Sequence, residues 1–220
     1  MRQFALLLIL TFFASLPRVV VADDDWQQLF NGKNLDGWYA NFDPDAFGVK
    51  DGAIRIQGVE KRAAHLFYVG DSEKTPVKFE NFELKVIARA EPESNSGVFI
   101  HAGLELRNKW RHLEKGYEVQ LNSSTKERLK TGSLYAVVDV TESPVDEREW
   151  FEMLIRVEGK RIRVSIEGKQ VIDYTEPDDV KRPADRKGRV LQPGGGGIAL
   201  QAHDTESVWY FKEVAVRRLP

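Results

Sequence analysis

The sequence contains no cysteine and only two methionines in 220 residues. The missing thiol excludes a disulfide scaffold, a thiolate nucleophile, a Cys-ligated metal and lipid attachment at a cysteine behind a leader. Excess charge of either sign is also missing. There are 32 Lys and Arg against 34 Asp and Glu, a net of −2, with the signs interspersed. Such a chain is not built to track a phosphate backbone, so nucleic acid is not an expected partner. Long apolar runs are confined to the N-terminus. Met1-Arg2-Gln3 is a short basic start, Phe4–Leu16 is apolar, and Val20-Val21-Ala22 places small residues before Asp23-Asp24-Asp25. This is the order of a secretory signal peptide, and the run is short for a bilayer span. Residues 1–22 are therefore expected to be a leader and 23–220 one exported domain, secreted or periplasmic, with no membrane attachment after cleavage. Without Arg2 and Arg18 the balance becomes 30 against 34, a net of −4.

Helical periodicity is scarce as well. What is present instead is a series of short strand-like runs: Ala53–Gln57, His65–Val69, Phe82–Ala90, Gly97–Ala102, Tyr117–Leu121, Ser133–Val138, Phe151–Val157, Arg161–Ile166, Gln170–Tyr174, Ile198–Ala202 and Val208–Arg217. Phe82, Leu84, Val86 and Ala88 alternate with Glu83, Lys85, Ile87 and Arg89, the period of a half-buried strand. Asp51-Gly52, Glu158-Gly159 and Glu167-Gly168 supply hairpin chemistry between runs. Many short strands without helices predict an all-β sandwich or barrel. Leu104–Lys115, Asp139–Glu149 and Thr175–Gly197 interrupt the pattern as loops, the first with a helical turn as its other reading.

Tyr117–Asn122 is the most informative strand. Alternation puts Tyr117, Val119 and Leu121 on one face and Glu118, Gln120 and Asn122 on the other. Gln201 and His203 oppose Ile198, Leu200 and Ala202, while Asn95 and His101 oppose Val98 and Ile100. Amides supply both the donors and the acceptors that sugar hydroxyls need, so these faces are candidates for a carbohydrate groove. The plainer reading is a strand face turned to water. No His pair has metal-ligand spacing within one segment; a divalent ion would have to be held across strands by His101, Glu118 and His203. Gly194–Gly197 is read as a turn rather than a phosphate loop, because no Lys-Ser/Thr and helix follow it. Asn122-Ser123-Ser124 fits a glycosylation sequon but sits on the site-like strand. Trp26, Trp38, Trp150 and Trp209 are expected in the core, and Trp110, in the basic loop, is the candidate for stacking on a sugar ring.

Several motifs then occur in a familiar order. Trp26-x-x-Leu29-Phe30-Asn31-Gly32-Lys33-Asn34-Leu35-Asp36-Gly37-Trp38 is followed by Phe79–Leu84, Asn95–Ile100, Gly116–Leu121, Thr131–Tyr135, Glu149-Trp150, Gly197–Gln201 and Phe211–Val214. The set resembles the bacterial 3-keto-disaccharide hydrolase family, also described as 3-keto-glucoside 1,2-lyase/hydratases, over nearly the whole expected exported chain. Phe151, Glu167 and Lys212-Glu213 depart from residues common in that family.

The resemblance implies a concanavalin A-like (lectin/glucanase) jelly-roll β-sandwich that holds carbohydrate. It also implies removal of the acidic C2 proton of a 3-keto sugar, elimination of the C1 substituent and possible rehydration. In that scheme Glu118 is the expected base, and His101 or His203 the acid. Lys130 would stabilise the enolate, and Asn95, Gln120, Asn122, Gln201, His203 and Trp110 would hold the sugar. A divalent metal on His101, Glu118 and His203 is the alternative electrophile. A non-catalytic lectin-like module on the same sandwich is the alternative function, and a structural or adhesive sandwich without a groove is a third reading.

Overall fold

The computed structural model describes residues 25–220; the expected leader over residues 1–22 lies outside the described residues. Thirteen strands are present among the described residues: β1 (Gln27–Gln28), β2 (Trp38–Ala40), β3 (Phe47–Lys50), β4 (Ala53–Gln57), β5 (Ala64–Tyr68), β6 (Phe82–Ala90), β7 (Asn95–Ala102), β8 (Tyr117–Asn122), β9 (Phe151–Glu158), β10 (Arg161–Ile166), β11 (Lys169–Thr175), β12 (Gly197–Ala202) and β13 (Val208–Arg218). They form two antiparallel sheets. The larger is eight-stranded, in the order β11-β10-β9-β6-β13-β4-β3 with β1 added to β13; the smaller runs β2-β5-β12-β7-β8. This is the all-β fold that the strand pattern predicts, closed as the jelly-roll sandwich that the family resemblance implies.

The alternating apolar residues explain the layering. Phe82, Leu84, Val86 and Ala88 on β6 are fully buried, as are Ile155 and Val157 on β9 and Ile162 and Val164 on β10. They join Val98, Ile100, Tyr117, Val119, Leu121, Ile198 and Leu200 of the smaller sheet in one core. Burying each large apolar side chain contributes roughly 1.5–3 kcal/mol, so the core can hold a chain that has no cross-links. A separate small cluster lies on the outer face of the smaller sheet. There Phe67, Phe99 and Ala199 pack under Leu106 and Leu113.

The hairpins follow the turn residues. Asp51 and Gly52 have φ of 52° and 75°, and Glu167 and Gly168 have φ of 48° and 72°, as a two-residue type I′ loop requires. One expected strand is absent. Ser133–Val138 is a tight turn in which Leu134 N–H donates to the Val138 carbonyl, and Ala136 has a φ of 61°. Left-handed backbone at Ala136 ends any extended run, leaving Leu134 bridged to Val119 and Val138. Leu104–Lys115 is a loop rather than a helical turn. A Leu106–Leu113 bridge pinches it into a short hairpin. Trp38 and Trp209 are buried as expected, whereas Trp26 is only partly buried, beneath the Lys85 and Arg217 cations, and Trp150 lies outside the core at 41% exposure. Strand parity explains it: Phe151 points inward, so its neighbour points out.

Candidate active site

The outer face of the smaller sheet carries most of the polar residues that alternation assigns to it, His101 being the exception. Gln201 on β12 is opposite His65 on β5, and Gly97 on β7 is opposite Gln120 on β8. Together with Asn95, Glu118 and His203, Gln120 and Gln201 line a cavity of about 90 Å³. The Gln120 side-chain amide donates to Asn95 Oδ1 at 2.7 Å. Gln120 Oε1 and Gln201 Oε1 are buried and have no protein partner. Unsatisfied buried acceptors are costly in a native fold, and these two belong to residues that line one cavity, where a bound ligand could donate to them.

Glu118 is the centre of the cavity's charge. Its Oε2 accepts a hydrogen bond from Arg189 Nη2 at 2.8 Å, and both side chains are almost fully buried. The other oxygen stands over Gly97. A Cβ there would come within 2.8 Å of Glu118 Oε1, so glycine makes the room for the carboxylate. Burial pushes the Glu118 carboxyl above its usual range, against the lowering pull of Arg189 and His203. This is the environment of a carboxylate that holds a proton more readily than an exposed one. Tyr135, on the cavity wall, is kept protonated by burial and by the charges of Glu118 and Glu127.

Arginines surround the carboxylate. Arg107 and Arg186 line the cavity with His112, and burial and the charge of Arg189 hold the Arg186 guanidinium below its usual range. Arg186 and Arg189 belong to the Pro- and Gly-rich segment between β11 and β12. That segment is tied to the sheet by Arg182, whose Nε donates to the Arg189 carbonyl at 2.9 Å. Its Nη2 donates to the hydroxyls of Tyr117 and Tyr174 at 2.9 and 2.7 Å. The Tyr117 hydroxyl donates in turn to Glu176. The partners of the ion pair are thus anchored side by side, one through β8 and one through the loop.

His203 follows β12, and its Nδ1 pairs with Asp204 Oδ2 at 2.8 Å. Burial raises the Asp204 carboxyl, but hydrogen bonds from His203 and Ser207 outweigh it, and the net effect holds Asp204 below its usual range. This contact leaves Nε2 as the imidazole nitrogen available to a ligand.

The structure brings together Glu118, Asn95, Gln120, Gln201 and His203. It does not bring His101, Lys130, Asn122 or Trp110 to them. His101 has a φ of 51°, which breaks the alternation of β7. Its ring stacks on Phe82 of the opposite sheet. His101 Nδ1 accepts from the Gln192 N–H at 3.1 Å, so Nε2 carries the proton and donates to the Glu80 carbonyl at 3.0 Å. With both nitrogens engaged, it is a structural residue here. The metal set of His101, Glu118 and His203 is consequently not assembled. Among the described residues no group of three His, Cys, Asp or Glu side chains is placed to hold an ion. Lys130 Nζ is spent on the carbonyls of Ser124 and Glu127, at 2.6 and 2.8 Å. Asn122, 1% exposed, donates to the Leu129 carbonyl at 2.7 Å and accepts from the Ser124 N–H at 2.8 Å, which also closes its sequon to modification. Trp110 sits at the tip of the 104–115 hairpin, beneath the Lys109 ammonium, and does not line the cavity.

Arg107, His112, Tyr135, Arg186, Arg189 and Asp204 complete the site without having been expected. The interrupting loops 104–115 and 175–197 supply four of them; their basic character was the available signal.

Comparison with known proteins bears on the fold and the family. A candidate glycosyl hydrolase from Parabacteroides distasonis superposes with a TM-score of 0.72 at 22% identity, over 90% of this chain and 95% of that one. Carbohydrate binding module CBM66 from Bacillus subtilis gives 0.54 at 12% identity, over 84% and 98%. The exoplasmic/lumenal domain of VIP36, in a form bound to Ca²⁺ and Man3GlcNAc, gives 0.55 at 12% identity, over 86% and 90%. At these identities the likeness is one of fold. No curated protein matches by sequence. The model of the 3-keto-alpha-glucoside-1,2-lyase-like domain matches residues 25–217, and the chain belongs to that family.

Proposed function

We propose that this protein is an exported, carbohydrate-active enzyme that cleaves 3-keto-glucosides. Family membership makes carbohydrate the substrate class, and the buried Glu118–Arg189 pair is the observation that carries the catalytic reading. Glu118 takes the C2 proton of the 3-keto sugar, and the electron pair passes to the C3 oxygen as an enolate. Arg189 and its neighbours Arg107 and Arg186 supply positive charge for that oxyanion in a water-poor cavity, the role first expected of Lys130. Collapse of the enolate restores the C3 carbonyl, forms the C1–C2 double bond and breaks the C1–O bond. His203 gives the departing oxygen its proton, with Asp204 holding the imidazole. Water then adds its hydroxyl to C1 and its proton to C2, so the balance is hydrolysis. Gln120, Gln201 and Asn95 hold sugar hydroxyls.

A lectin-like binding module on the same sandwich is the alternative reading. Its unpartnered amide oxygens would serve equally well there, but binding alone gives no reason to bury a carboxylate against arginine. The test is incubation with 3-keto-glucosides and with their unoxidised parents. Release of the aglycone from the keto forms alone supports the proposal; binding of sugars without turnover of any keto form would replace it with the module.

A further inference from the structure

The outer face of the larger sheet carries a second feature, remote in the fold from the cavity. Cross-strand register aligns Arg55 on β4 with Tyr210 on β13, and Tyr210 with Arg89 on β6. Trp150, just before β9, completes the row: Arg89 lies 5.2 Å from its ring and 4.7 Å from that of Tyr210. Lys212, at the bulge of β13, stands 5.9 Å from the same indole. The result is a line of alternating cations and aromatic rings.

Several other cations on this face are neutralised. Lys85 pairs with Glu213, Arg156 and Arg217 share Glu83, and Arg161 pairs with Asp173. Arg55, Arg89 and Lys212 have no carboxylate partner among the described residues. Arg55 instead reaches the Gln57 amide oxygen, and Arg89 Nε is buried without a partner. Local positive charge is therefore concentrated at one place on a chain whose overall charge is negative.

We propose that this row is a second binding surface, for a polysaccharide bearing uronic acid carboxylates. Guanidinium forks match planar carboxylates, and the half-exposed Trp150 indole offers a surface for the C–H face of a sugar ring. Arg55 and Arg89 stand two strand spacings apart, about 9–10 Å, which suits anionic groups repeated along a chain rather than one small anion. An acidic peptide adding as a strand is disfavoured, since β4, β13, β6 and β9 are all interior strands with no free edge. The surface would keep the protein on an acidic glycan while the cavity on the opposite sheet stays open.

The test is binding of the full exported chain to polygalacturonate, with neutral dextran, dextran sulfate, poly-glutamate and duplex DNA as comparisons. Polygalacturonate is expected to bind, to weaken as salt rises, and to bind at least about tenfold more weakly to the Arg55→Gln/Arg89→Gln variant, as lost phosphate-like contacts do on other polyanions. Lys212→Glu and Trp150→Ala, at exposed positions, should weaken it too and keep the proposal testable if the double variant does not fold. Glu118→Gln should bind as the wild type does, whether or not the cavity is catalytic. Undetectable binding, binding undiminished in these surface variants, or equal or better binding to dextran sulfate, poly-glutamate or DNA would overturn it.

Discussion

Glu118 is useful as a base only if its surroundings keep it near the point of exchanging a proton. Burial raises its pKa above the usual 4.5, while Arg189 limits the rise. A base must be deprotonated, so kcat/KM should fall as pH drops through the raised pKa. The acid limb is therefore expected above the ordinary carboxylate range. In Arg189→Met the larger lowering influence disappears and only that of His203 remains, so the limb should move to still higher pH with a lower plateau. A pH–rate profile of both proteins checks the direction. His65 gives a prediction about stability instead. It is fully buried with both ring nitrogens unpartnered, lies edge-on to Phe99, and burial lowers its pKa to about 3 from 6.5. Because the folded form resists a proton that the unfolded chain accepts, the contribution is present above pH 6.5 and is lost as pH falls toward 3. The slope from this group approaches about 1.4 kcal/mol per pH unit. Urea unfolding of His65→Phe between pH 7 and pH 5 should therefore show a weaker decline in stability than the wild type; parallel declines would refute the assignment.

At the scale of the element, a glycine on β7 decides where a carboxylate on β8 can stand. Gly97 is not in the left-handed region, so alanine can adopt its backbone. A methyl group would nevertheless lie 2.8 Å from Glu118 Oε1 and 2.9 Å from its Cγ. Gly97→Ala should keep the circular dichroism spectrum and lower turnover of keto-glucosides by about 100-fold, the scale of a misplaced catalytic group. How far the site could be read in advance also divides by element. On β8 the alternation of Tyr117 to Asn122 placed Glu118 and Gln120 correctly, because the strand is regular and one face is core. On β7 the same rule misplaced His101, because a single positive φ near the strand end turned it toward Phe82. Lys130 and Asn122 have the right chemistry, but nearby loop carbonyls claim their donors. Such short-range competition leaves no periodic trace. Arg189 reaches Glu118 across 71 residues of sequence, and spacing cannot reveal a contact closed by a loop. The short strands β1, β2 and β3 were likewise too brief to show a period.

For the molecule as a whole, the two sheets separate two surfaces. The cavity opens on the outer face of the smaller sheet and the cation–aromatic row lies on that of the larger, with the apolar core between them. Changes at distant, unconnected sites are usually independent. The Arg55→Gln/Arg89→Gln variant should therefore turn over a soluble 3-keto-glucoside at the wild-type rate, measured by aglycone release. The sandwich itself was legible throughout, since strand alternation and core burial are collective signals that survive a few local exceptions. The proposed substrate adds a keto group, and the proton beside it is the most direct point of attack. The decisive measurement follows a 3-keto-glucoside deuterated at C2. The label is expected to be lost to solvent during cleavage, wild-type kcat/KM to fall with the heavier isotope, and Glu118→Gln to release neither the label nor the aglycone at a comparable rate. Cleavage with the C2 label retained, or label loss undiminished in Glu118→Gln, would contradict it.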